Sequence, residues 1–262
     1  MHVLDFGILG ELHARAARHV RTPRPAKQRA LLALLLLHHD ELMPTGSIID
    51  ALWAERPPRS ARAALQMHVT GVRRALHPGA PGPATSVLET RPRGYLLRLG
   101  AGSLDLRDFR RQAATGHAQL AAGDCAAAAD AFHAALSLWR GPALADLTGD
   151  ALDPHIDRLE CERLTTLQAR IGADLCQGRS AQVIGELVEL CARHPLIESL
   201  HAQLMLASWL SGRGAQALEV FTRARRILID EACIEPGPAL RTLQQAILKA
   251  ADPDAFRHHG HR

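Results

Sequence analysis

Asparagine is absent from the chain, lysine occurs only at Lys27 and Lys249, and aromatic residues make up 3% of it. Codons for lysine and asparagine are AT-rich, so a strong preference for arginine marks a GC-rich genome more than a function. With so few aromatics, the cores must be built from Leu, Ala, Val and Ile, which suits helices. No stretch of about 18 uncharged apolar residues occurs, so no transmembrane helix is expected. The longest apolar run, Ala30–Leu37, is too short and too far into the chain to act as a signal peptide.

Enzyme signatures are missing as well. Neither lysine follows a glycine, so there is no GxxxxGK[ST] phosphate loop. An HExxH helix and a nucleophile elbow are also absent. His38-His39-Asp40-Glu41 has metal-ligand residue types, but adjacent side chains diverge on a helix, and the cluster reads as a solvated helix end. No enzyme and no cofactor is therefore expected. Cysteines stand at 125, 161, 176, 191 and 233, an odd count without a CxxC pair. That usage predicts reduced, buried thiols and a cytoplasmic location.

What is present divides into two halves. The 262 residues are enough for two domains. Residues 1–100 hold 14 Lys/Arg against 7 Asp/Glu, whereas residues 101–262 hold 17 against 20. A basic front joined to a mildly acidic back points to an anionic partner for the front alone. Short strands are expected within 2–14 and at 18–22. Next comes an apolar helix over Lys27–His38, then a helix over Ile48–Trp53 with Thr45 or Ser47 as its cap. A third helix over Ala61–Leu76 follows the Ala54–Ser60 loop.

That third helix is the most informative stretch. At about 100° per residue, Leu65, Val69, Val72 and Leu76 fall within roughly 60° of arc, a stripe that faces a core. The opposite arc carries Ala63, Gln66, Met67, Thr70 and Arg74, flanked by Arg59 and Arg73. Donors, acceptors, small side chains and positive charge on one face suit a DNA major groove. The segment Leu88–Leu97 reads as a β-hairpin wing, with Arg91 and Arg93 beside a Pro92/Gly94 turn where they can reach phosphate or the minor groove. Strands, three helices and a basic hairpin, in that order, give a winged helix-turn-helix.

The back half is helical and repetitive. Gly178-Arg179-Ser180-Ala181 and Gly212-Arg213-Gly214-Ala215 recur 34 residues apart, the period of tetratricopeptide helix pairs, and Gly123-Asp124-Cys125-Ala126 opens a similar unit. Small residues at i, i+4 spacing, Ala127, Ala131 and Ala135 among them, are expected to pack within the pairs. Trp139 reads as a core anchor in a loop that interrupts the array. The fold class is mainly α with a small β component. Residues 1–100 form the winged helix, 104–250 a tetratricopeptide-like array and 251–262 a disordered tail, with a hinge at Ala101-Gly102-Ser103.

These segments resemble the Streptomyces antibiotic regulatory protein (SARP) family of transcriptional activators. Members combine an OmpR-type winged helix with a bacterial transcriptional activator domain. The likeness runs over Phe6-Gly7-Ile8-Leu9-Gly10, Asp50-Ala51-Leu52-Trp53, Ala64-Leu65-Gln66, Arg73-Arg74-Ala75-Leu76 and Arg93-Gly94-Tyr95 in the front half. It continues over Leu138-Trp139-Arg140-Gly141-Pro142-Ala143-Leu144, His194-Pro195-Leu196 and Pro236-Gly237-Pro238. The resemblance implies binding to direct repeats in double-stranded promoter DNA near the −35 element. Direct repeats in turn call for a head-to-tail homodimer, expected to assemble on the DNA. The resemblance also implies recruitment of RNA polymerase holoenzyme to an antibiotic biosynthesis cluster, nucleoid association and no membrane partner.

The candidate DNA-binding set is Arg59, Arg62, Gln66, His68, Thr70, Arg73, Arg74, Arg91, Arg93 and Tyr95. The resemblance further implies that Glu55, Arg56 and Pro57 lie in a polymerase-contacting loop. Two positions depart from the family. Gly71 stands where a basic residue is frequent, which removes a phosphate or base contact and weakens the helix by up to about 1 kcal/mol. Ala63 replaces a polar residue. Both departures support a rival reading, a helical-repeat interaction module whose DNA binding is weak or lost.

Overall fold

A computed structural model describes residues 3–54, 56–78, 87–147 and 152–249. The chain divides into two compact units, residues 1–112 with 134–164, and residues 113–133 with 165–262.

The first unit opens with strands β1 (Leu4–Gly7), β2 (His13–Ala16) and β3 (His19–Val20). Then come α1 (Ala26–Leu37), β4 (Leu42–Pro44), α2 (Thr45–Trp53), α3 (Ala61–Leu76), β5 (Leu88–Arg91), β6 (Gly94–Leu97) and β7 (Ser103–Leu104). One sheet has the order β3-β2-β1-β7, with β7 parallel to β1, and the second has the order β4-β6-β5, all antiparallel. The leucine run of α1 is the centre of this core, with Leu31 to Leu36 all buried, and α1 packs against α2, α3 and β6.

Two local expectations change. Helix α2 starts at Thr45, not Ile48, and neither Thr45 nor Ser47 caps it by side chain. Instead the Thr45 N–H donates to the Arg93 carbonyl at 3.0 Å, so the wing turn satisfies a free donor of the helix start. The Ala101–Ser103 stretch is not a loose hinge. Ser103 and Leu104 pair with Asp5 and Phe6, and the Gly102 N–H donates to the Leu99 carbonyl at 2.8 Å.

Helix α4 (Asp105–Ala121) begins where the chain is tied most heavily. The Asp105 carboxylate accepts the N–H groups of Ile8 and Leu9 at 2.9–3.0 Å, its neighbour Leu106 N–H at 2.8 Å, and an Arg140 guanidinium N–H at 2.9 Å. Arg140 also donates to the Glu11 carbonyl, and its N–H bonds the Leu9 carbonyl. Trp139 is buried edge-on to Phe109 at 5.5 Å, with the Arg163 guanidinium 4.8 Å from its ring, as expected of an anchor.

The remaining elements are α5 (Cys125–Leu136), α6 (Asp153–Cys176), α7 (Ser180–Arg193), α8 (Glu198–Leu210), α9 (Gly214–Ala232) and α10 (Pro238–Leu248). The unit boundaries fall inside α4, α5 and α6. In the second unit α8 packs against α7, α9 and α10. The repeat glycines Gly123, Gly178 and Gly212 all have φ between +75° and +82°. Each is followed by a residue whose N–H reaches back five positions, Asp124 to Gln119, Arg179 to Asp174 and Arg213 to Ser208. This is the Schellman C-cap, repeated once per helix pair. The residues after 250, expected as a tail, lie outside the described residues.

The cysteine expectation is corrected. Cys125 and Cys176 form a disulfide, while Cys161 and Cys233 are exposed and Cys191 is buried. Folding brings the start of α5 against the end of α6, across 51 residues of sequence that no local motif spans. Closing so long a loop restrains the unfolded chain and stabilises by about 2–4 kcal/mol. Chemical denaturation with and without reductant should therefore show that difference in the wild type and none in Cys125→Ser.

Candidate nucleic-acid interface

Helix α3 follows the sequence pattern closely. Leu65, Val69, Val72 and Leu76 are buried against α1 and α2. Arg62, Ala63, Gln66, Met67, Thr70 and Arg74 are exposed on the other side. Arg62 and Arg74 have no ion pair among the described residues. The same holds for Arg59 in the turn before the helix and Arg93 at the wing tip. The Thr70 hydroxyl donates back to the Gln66 carbonyl at 2.9 Å, a common arrangement for threonine on a helix.

The wing is the β5–β6 hairpin, in register Arg91 with Gly94 and Thr90 with Tyr95. Strand β6 is central, paired with β4 on its other edge, and all four of its residues are buried. Gly94 is required by that pairing. A Cβ there would lie 1.9 Å from the Met43 carbonyl oxygen on β4. Arg91 pairs with Glu89, which also holds Arg98 at 3.1 Å. Glu89 and Arg91 share a strand face because they are two residues apart, a signal the sequence did contain.

Three members of the candidate set also make contacts inside the fold. Tyr95 is 6% exposed within the central strand, so its ring is not offered to a partner. His68 turns toward α2 and lies 5.8 Å from the Trp53 ring, where Lys27 also sits 6.0 Å from the indole. Arg73 is half-buried: its Nε donates to the Leu88 carbonyl at 2.9 Å and its Nη2 to the Thr90 hydroxyl at 2.8 Å. Burial lowers its pKa from the usual arginine value, and the guanidinium works as a clamp between α3 and the wing. Of the loop residues, Arg56 and Pro57 are exposed, and Glu55 lies outside the described residues.

Gly71 is also placed differently. A Cβ on it would meet the Gln28 side chain of α1 at 2.3 Å. The terminal amide of Gln28 therefore occupies the space that a side chain at position 71 would take. Ala63 does lie on the open face.

A family model of the transcriptional regulatory protein C-terminal domain matches residues 21–97, and one of the bacterial transcriptional activator domain matches residues 104–248. The chain belongs to the SARP family. It is 40% identical to regulatory protein DnrI of Streptomyces peucetius over 97% of this chain and 95% of that protein. It is 42% identical to regulatory protein AfsR of Streptomyces coelicolor over 95% of this chain, but it spans only 24% of that longer protein. A solved structure of Mycobacterium tuberculosis EmbR, in complex with a low-affinity phosphopeptide, matches with a TM-score of 0.92 and 34% identity. That match covers 100% of this chain and 69% of the EmbR chain. These relatives are named as regulators, none as an enzyme, and this SARP chain is a DNA-binding transcriptional regulator with a winged helix followed by a helical array. No described helix is long and apolar enough to cross a membrane.

Two outcomes follow from this geometry. Gly94→Ala should cost the winged helix roughly 3 kcal/mol, the upper end for forced overpacking, read by urea denaturation. Burial holds His68 and His77 below the ordinary imidazole pKa of 6.5, with Lys27 adding to the effect at the first and Arg21 at the second. The unfolded chain thus takes up these protons before the folded one does. Their contribution to stability is complete above pH 6.5 and is lost as pH falls below it. Melting temperatures at pH 7.5 and 5.5 should differ, lower at the acid value, and the gap should narrow in a His68→Gln, His77→Gln variant.

Proposed function

We propose that this protein is a pathway-specific activator that binds promoter direct repeats near the −35 element and recruits RNA polymerase to an antibiotic biosynthesis cluster. The observation that carries the reading is the open face of α3, where Arg62, Gln66, Thr70 and Arg74 are exposed while the opposite stripe is buried. Arg59, Arg91 and Arg93 extend the same positive surface toward the flanking phosphates. The match to DnrI over nearly the full length of both chains supports carrying the family's role across.

The physics divides the work. Arginines that neutralise phosphate release counterions and supply most of the affinity along with its salt dependence. Groove-facing side chains supply discrimination, about 1–3 kcal/mol for a good bidentate contact. One winged helix makes a small interface, so two copies on repeats of one orientation gain by effective concentration. Such an arrangement is head-to-tail, and the two protomers contact each other through different surfaces. The exposed Arg56 and Pro57 present the loop to polymerase. The cytoplasm, at the nucleoid, is where this work is done.

Mobility shifts on promoter fragments at several salt concentrations test the proposal. Arg62→Ala and Arg93→Ala should weaken binding to all sequences alike and lower the slope of log K against log salt by about 0.9 each. Arg74→Ala should cost about 1–3 kcal/mol on the preferred site and relax its sequence preference. Binding without a salt dependence, or unaffected by all three changes, would sink the reading.

A further inference from the structure

We propose that Met67 is a specificity-determining residue, packing its thioether on the C5-methyl group of a thymine in the major groove. The proposal rests on the reading of α3 given above. Of the large apolar side chains on α3, Leu65, Val69, Val72 and Leu76 are buried and Met67 alone is open, at 63% exposed. A single exposed apolar residue on a protein surface is ordinary. Its setting here is not. Ala63 stands one turn before Met67 and Thr70 one turn after, and both are exposed. Helical neighbours at i−4 and i+3 share a face, so three methyl-bearing side chains form a short apolar strip, with Arg74 at its end and Gln66 beside it.

Among the described residues, the buried stripe of α3 consists of Leu65, Val69, Val72 and Leu76 and does not include Met67. The groove has one matching apolar feature. Thymine alone presents a methyl group on the major-groove edge, and apolar side chains contact it. Methionine suits that contact because it is unbranched, flexible and polarizable, and so follows the groove wall. The exposed alanine at position 63 lengthens the strip. Such a strip favours A·T pairs at the positions it faces.

Deoxyuridine provides a direct test, because it lacks only the methyl group and keeps every hydrogen-bonding edge of thymine. Duplexes are selected from a random pool with the full chain, and each thymine of the selected sequence is replaced in turn by deoxyuridine. The wild type should lose about fourfold in affinity at one or two positions, the factor that goes with one buried methyl group. Met67→Ala should bind the thymine duplex more weakly and show no further loss at those positions. The substitution replaces an exposed side chain with the best helix former, so the variant keeps its fold, which thermal melting checks. Equal losses in both proteins, or no loss in either, overturn the role of Met67. If salt-dependent binding sensitive to Arg74→Ala persists in that case, the activator reading stands without it. A wild type that selects no sequence at all removes both.

Discussion

The reading surface depends on one half-buried cation. Arg73 joins α3 to the wing through two neutral acceptors, the Leu88 carbonyl and the Thr90 hydroxyl. A charge-assisted hydrogen bond is stronger than a neutral one, and here two are donated side by side from one edge of a planar group. The guanidinium therefore fixes the angle of the hairpin against the helix as well as its distance. A second tie comes from the other side of the wing, where the Arg93 carbonyl accepts the first N–H of α2. Helix, wing tip and α2 thus form a closed loop of contacts. The exposed arginines at 62, 74 and 93 are spaced by that loop, not by their own interactions.

The Asp105 web does comparable work deeper in the same unit. Its carboxylate collects two backbone N–H groups from the loop after β1 and the Arg140 guanidinium. Arg140 in turn crowds Gly7 and Gly10, where an added Cβ would stand 2.5 Å and 3.0 Å from its side chain. Two motifs that are far apart in sequence, the Phe6–Gly10 turn and Trp139-Arg140, are therefore two halves of one packed polar site. This accounts for the grouping of residues 134–164 with the first unit, although the activator-domain match runs unbroken from 104 to 248.

Much of this was legible from periodicity. The α3 boundaries, its buried stripe, the hairpin and the repeated glycine turns all follow from spacing alone, because each reflects a local rule of helix or strand geometry. The misses share a different origin. Arg73 sits about 80° from Leu65 on a helical wheel, close to the core stripe, whereas Arg74 sits about 180° away. Reading both as groove residues ignored that flank positions are shared between core and surface. Tyr95 reads as an exposed wing residue because nothing local reveals that β6 is the central strand. Gly71 meets Gln28, and Cys125 meets Cys176, only through tertiary packing, which no sequence window of one element contains.

These distinctions decide how loss of binding is to be interpreted. Arg62, Gln66, Met67 and Arg74 have side chains that support little of the core, so replacing them changes the surface and leaves the scaffold intact. Arg73 ties α3 to the wing, His68 packs toward α2 and Tyr95 lies within the central strand of the wing sheet, so replacing them moves the arginines that remain. A weakened complex from an Arg73 variant would then report a displaced wing as readily as a lost contact, and its effect would not add to those of its neighbours. The outward residues are the ones whose replacement reports the surface itself, and a map of what the helix reads is built from them.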